Sequence, residues 1–301
     1  MPDLGQRLAD EMSGCKLEVT SFSSRKKMTD SQLARVASFF ESDAKSVSGG
    51  REILNKKIPE VKTVYGIIRA ARAHWQAYTV KYEDGVRLIK VDQIERMNEQ
   101  INRYQNELAE AKQALYDAWD SVKQDAQRRL AQLYVEADYR IDVRQMIWLT
   151  ISYPSVQPDK KLEQLGKGIL EREIEKCRVK FEQAATVAEQ ALQQEFADMV
   201  NSVAERLEQG ESEDGKKRIL QQRAVDNIVE FAQRFRALSV SDDAELDALV
   251  RQAEQLAVGL DTKAIKKDAG QRATMQQAFA NLKESVSKHI VKAAEREIEF
   301  E

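Results

Sequence analysis

Between Asp92 and about Glu136 apolar residues recur at three-four spacing: Ile94, Met97, Ile101, Tyr104, Leu108, Ala111, Leu115, Ala118 and Val122, then less strictly Ala126, Leu130 and Leu133. Such a stripe predicts a helix about 65 Å long, with one face that another helix must cover. A second stripe of similar length runs from about Lys160 to Gln209 through Leu162, Leu165, Ile169, Ile174, Cys177, Phe181, Ala184, Ala188, Leu192, Met199, Val203 and Leu207. The spacing therefore predicts a mainly α fold, an elongated helical bundle in which these two long helices lie antiparallel. Packing of the first stripe between subunits, in a dimer or ring, is the alternative. Only 4 Pro and 12 Gly punctuate the chain, too few for the many turns of an all-β or doubly wound fold.

A small β element interrupts the helical text. Leu17 to Phe22 and Ile147 to Tyr153 are β-branched and aromatic, the second stopped by Pro154, and they are expected to pair. A hairpin is expected near 80–88, where Asp84-Gly85 supplies a tight turn between alternating flanks. Shorter helices are predicted from Asp30 or Ser31 to Ser42 and from Pro59 to about Thr79. Others are predicted over 216–238, from the Ser241–Glu245 capping sequence to Val258, and over 268–299. Gly210 to Gly215 is a polar, acidic break. The expected organisation is a basic head over 1–91, a long helical hairpin over 92–209 and a helical segment over 216–301.

The 47 Lys plus Arg and 50 Asp plus Glu give a net charge of −3, which excludes a polycation that coats nucleic acid indiscriminately. Their distribution is uneven: residues 1–91 hold 16 basic and 11 acidic side chains, the remaining 210 hold 31 and 39. No run reaches the roughly 20 apolar residues of a membrane span, and Met1 to Gly14 lacks an apolar signal segment, so a cytoplasmic protein without membrane association is expected. Cys15 and Cys177 cannot build a disulfide framework.

Catalytic candidates are scarce. His74 and His289 are the two histidines, both in helical, charge-rich text, and no His-x-x-x-His, Glu-x-x-His or Cys-x-x-Cys pair is present. The reading is a non-enzymatic protein with no cofactor and no metal. Ser46 to Arg51 resembles an anion-binding loop but lacks the Gly-Lys-Ser/Thr ending of a P-loop. A metal-dependent nuclease would need acids converging from several elements, which spacing does not establish.

The basic head carries the binding expectation. Arg25, Lys26 and Lys27 follow a strand, Lys56 and Lys57 precede a helix, and Arg87 lies in the hairpin. These six are the candidate phosphate contacts for nucleic acid, positioning rather than reading bases, with Tyr78 and Trp75 near Arg69, Arg72 and Lys81 as stacking surfaces. Short cationic clusters also solubilise a small sheet and protect its edge, so the surplus alone does not decide.

The order of short motifs resembles an uncharacterised family of tailed-phage and prophage proteins, long helical proteins of unknown function. The likeness covers roughly residues 16–290. It is carried by Ser24-Arg25-Lys26-Lys27, Gly49-Gly50-Arg51, Asn55-Lys56-Lys57 with Pro59, and Ala70-Ala71-Arg72-Ala73-His74 with Tyr78-Thr79. Asp84-Gly85 with Arg87-Leu88, Glu136-Ala137-Asp138-Tyr139, Met199 to Leu207 and Leu238 to Leu246 follow in the same order. The family usually has Leu-Pro-Trp where this chain has Thr79 to Glu83. The resemblance implies a phage accessory protein, in the host cytoplasm, with a helical shape and no assigned activity. Two functions follow as expectations: macromolecular binding in phage nucleic-acid metabolism, or engagement of a protein partner such as a host or defence protein, with self-association expected in either.

Overall fold

The computed structural model describes residues 11–165, 167–208, 220–239, 243–266 and 268–299. In chain order the elements are β1 (Met12–Thr20), β2 (Arg25–Lys27), α1 (Asp30–Phe39), β3 (Gly50–Glu52), α2 (Pro59–Ala77), β4 (Val80–Glu83) and β5 (Val86–Lys90). There follow α3 (Ile94–Asp117), α4 (Trp119–Leu130), α5 (Val143–Met146), β6 (Trp148–Ser152), α6 (Lys167–Leu207), α7 (Gln222–Leu238), α8 (Ala244–Val258), α9 (Thr262–Ile265) and α10 (Ala269–Glu299). The protein is mainly helical, with antiparallel β pairs. Its contacts divide it into two compact units that interleave in sequence: a smaller one of 14–77 and 92–154, and a larger one of 1–13, 78–91 and 155–301.

In the smaller unit, β1 and β6 pair antiparallel as expected, with Lys16 opposite Ser152 and Thr20 opposite Trp148. Helix α2 starts at Pro59, whose missing N–H costs nothing in a first turn, and buries Val61, Val64, Ile68 and Ala71 along one face. That face covers α3, whose buried Met97, Ile101, Leu108, Ala111 and Leu115 belong to the stripe that the sequence singles out. On another side α3 meets α5 and β6: Gln105 Nε2 donates to the Leu149 carbonyl (3.0 Å), and Lys112 Nζ donates to the carbonyls of Arg144 (3.1 Å) and Ile147 (3.0 Å). Helix α1 is capped by Thr29, one residue before the expected Asp30, in a reciprocal box with Gln32.

One expectation is corrected here. The helix predicted over 92–136 is interrupted for one residue at Ala118, across which Ala118 and Val122 keep their helical N–H bonds, and ends at Leu130; Trp119 turns inward, where its Nε1 donates to the Tyr139 carbonyl (3.2 Å) and its ring meets Phe22 edge-on at 5.8 Å. Ala131 then takes φ 45°, which directs the chain out of the helix.

In the larger unit the expected hairpin forms, with Val80 opposite Leu88 and Gly85 alone in the left-handed region of the turn at φ 77°. Val80 and Leu88 bury against Met12, Phe181 and Ala185, and Tyr82 stacks on Phe181 at 5.2 Å. The main core collects Leu192, Phe196, Val200, Val203 and Leu207 of α6 with α7, α8 and α10, Phe196 and Phe231 lying nearly parallel at 5.5 Å. The stripe of α3 is covered by α2 and the C-terminal half of the α6 stripe by α7 and α10, while Ile174 nearer the start of α6 is 48% exposed.

Candidate nucleic-acid interface

The short strand β2 pairs antiparallel with β3, Arg25 opposite Glu52, Lys26 opposite Arg51 and Lys27 opposite Gly50. Nothing in Arg25-Lys26-Lys27 shows the apolar alternation of a strand, so what fixes this ribbon lies elsewhere. Arg51 is only 4% exposed. Its guanidinium donates from Nη1 to the Leu133 carbonyl (2.9 Å) and from Nε and Nη2 to the Lys27 carbonyl (3.4 and 3.3 Å). A buried guanidinium stays charged and must be paired. Asp138, 9% exposed, answers it: Oδ2 lies 3.1 Å from Arg51 Nη1, and Oδ1 accepts from Lys26 Nζ at 3.0 Å.

The glycines of Ser46 to Arg51, a segment without a P-loop ending, serve packing. Gly50 is a strand residue, the Gly49 carbonyl accepts from the Met28 N–H (3.1 Å), and a Cβ on Gly49 would lie 2.9 Å from Met28 Sδ. The glycines allow close packing beneath the cationic strand.

The same unit holds Lys56 and Lys57 against this ribbon. The Ser24 carbonyl accepts from the N–H groups of Ile53 (2.8 Å) and Leu54 (3.3 Å), which seats 53–57 beside the entrance to β2. Tyr65 of α2 donates its hydroxyl to the Phe22 carbonyl (2.7 Å), and Lys56 Nζ lies 5.9 Å from the centre of its ring. Burial pushes the Tyr65 phenol up to about 12, so it remains a donor. Arg25, Lys26, Lys27, Lys56 and Lys57 are all exposed and all in the smaller unit. Among the described residues, the side chains of Arg25, Lys27 and Lys57 have no carboxylate partner.

Arg87 is placed differently. It belongs to the larger unit, where it donates from Nε to Thr79 Oγ1 (2.6 Å) and from Nη2 to the Thr79 carbonyl (2.6 Å), fastening β5 to the residue just before β4. The charge follows the same division: the smaller unit carries 20 Lys plus Arg against 17 Asp plus Glu, the larger 27 against 33.

No family model, curated protein or solved structure matches this chain. Its chemistry is read from its own side chains. Among the described residues no group of three or more His, Cys, Asp or Glu is placed to hold a metal ion. His74 meets Tyr104 edge-on at 6.2 Å across the α2–α3 contact, and burial lowers its pKa. His289, 3% exposed, lies with Nε2 2.9 Å from Asp243 Oδ2, tying α10 to the residue that caps α8. Among the described residues no helix is long and apolar enough to cross a membrane.

The smaller unit carries a second surface that the sequence spacing does not single out. Phe39 and Phe40 end α1 and are 81% and 69% exposed, their rings edge-to-face at 5.0 Å. With Val36, Leu133 and an Arg35–Gln132 hydrogen bond of 2.7 Å they line a groove of about 290 Å³.

Proposed function

We propose that this chain is a non-enzymatic phage accessory protein that binds nucleic acid along its phosphate backbone. The observation that carries the reading is the β2–β3 ribbon, which holds Arg25 and Lys27 in the open while Arg51 and Asp138 fix it from beneath. Side chains alternate across a strand, so Arg25 and Lys27 share one face and Lys26 takes the other. Lys57 extends the cationic line from the adjoining segment 53–57. Point charges on a fixed ribbon position a polyanion without reading its bases. The phage context rests on the resemblance of the motif order to tailed-phage and prophage proteins.

Fluorescence anisotropy of a labelled single strand, titrated with the full chain and with R25A/K27A/K57A, tests the binding surface. Loss of affinity in the variant is expected; equal affinity would remove the ribbon from the account.

The exposed Phe39–Phe40 pair favours a second reading, a protein-binding module whose partner is a host or defence protein or another copy of this chain. It predicts a stoichiometric complex that survives nuclease treatment and is lost in F39S/F40S.

A further inference from the structure

The larger unit contains a polar cleft that the nucleic-acid reading does not use. Met199, Ser202, Val203 and Arg206 follow one face of α6, and Arg223, Ala224 and Asn227 one face of α7, with Gln221 just before it. Together they enclose about 220 Å³. Elsewhere the buried part of the contact between these helices is apolar, through the Phe196–Phe231 stack and buried Val225 and Ile228, with the Arg234–Glu195 ion pair beside it. At the cleft the facing positions change to hydroxyl, amide and two guanidiniums, over a floor of Val203 and Ala224.

Three other arginines on these helices, Arg178, Arg234 and Arg236, are matched to acids, whereas Arg172 donates to the Gly168 carbonyl (2.8 Å). Arg234 pairs with Glu195, and Arg236 makes two bonds to Glu254 at 2.8 and 3.0 Å. Among the described residues, Arg206 and Arg223 have no such partner. The local field is positive for two further reasons. Arg272 donates to the carbonyls of Leu207 (2.9 Å), Arg206 (3.2 Å) and Glu208 (3.0 Å), neutralising the negative end of α6. At the start of α7, Gln221 makes no side-chain cap, so no capping oxygen offsets the positive end of that helix.

We propose that this cleft is a binding site for a small oxyanion of the phosphate type. Guanidinium forks match tetrahedral oxyanions two bonds at a time, and the hydroxyl of Ser202 with the amides of Gln221 and Asn227 supplies further donors. The volume lies below the roughly 300–1,000 Å³ of pockets that enclose larger organic ligands, which sets the ligand at a phosphate or a short phosphorylated group.

Calorimetric titration of the full chain with inorganic phosphate, with chloride at matched ionic strength as reference, tests the site. Saturable one-to-one binding is expected, weakened at least tenfold in R206Q and in R223Q and abolished in R206Q/R223Q, with the melting temperature of the free protein unchanged. R25A/K27A/K57A keeps this binding, which separates the cleft from the cationic ribbon. Heats no larger than those of chloride, or undiminished binding in R206Q/R223Q, would overturn the proposal.

Discussion

Asp138 Oδ2 lies 3.1 Å from Arg51 Nη1, close enough for an ion pair but off the direction of a hydrogen bond, while Asp138 Oδ1 takes the ammonium of Lys26. One buried carboxylate thus serves two cations, and the surrounding carbonyls of Lys27 and Leu133 take the remaining guanidinium protons. Residues 26, 51 and 138 become neighbours through this arrangement, although no local pattern joins them.

D138A leaves the Arg51 charge buried without its counter-ion, and a loss of about 3–5 kcal/mol is expected in urea unfolding. R51M/D138L, which removes both charges, should recover most of that loss. A D138A protein as stable as wild type would show that the pair does not hold the ribbon.

Ala131 at φ 45° occupies backbone space that a Cβ makes costly, of order 1–3 kcal/mol, while glycine adds about 0.5–1 kcal/mol of chain entropy. A131G should therefore stabilise the smaller unit by about 1 kcal/mol. The opposite change, Gly85 (φ 77°) to Ala in the hairpin turn, should destabilise the larger unit by about 1–2 kcal/mol. Thermal unfolding of both variants checks the two signs together.

Acid should act in two stages. Burial lowers the His74 pKa, so its neutral form belongs to the folded state; that contribution is complete above the ordinary 6.5 and declines as pH falls below it. Hydrogen bonds from Arg236 hold the Glu254 carboxyl below its ordinary 4.5, so this contribution is present above 4.5 and is lost as pH falls through the lowered folded value. H74F, which retains the edge contact with Tyr104, should flatten the first stage, and E254Q the second. Unchanged stability-against-pH curves in both variants would contradict the assignment.

How much of this was legible in the sequence depended on the range of the forces involved. The β1–β6 pair and the β4–β5 hairpin were readable because β-branched runs and Asp84-Gly85 encode them locally. The caps were nearly so: Asp243 accepts from the Leu246 N–H as its text suggests, and Thr29 displaces Asp30 by one position. The stripe of α3 was readable as a stripe, but its cover was not, since Val61, Val64, Ile68 and Ala71 of α2 offer a face as suitable as any on α6. The interruption at Ala118 and the end at Ala131 carry no proline or glycine, so neither has a local signature. Of the candidate cations, five share a unit through Ser24, Tyr65 and Asp138, whereas Arg87 is taken up by Thr79, and neither outcome has a signature in the spacing. The β2–β3 ribbon was the least visible, because an all-cationic strand is fixed by a buried pair 87 positions apart.

The most direct measurement is the salt dependence of binding to a labelled single strand, for the full chain and for R25A/K27A/K57A. Each phosphate contact contributes about −0.7 to the slope of log K against log salt for single strands, so removing three cations should flatten it by about 2. A slope that is the same in both proteins would contradict phosphate contact through this ribbon.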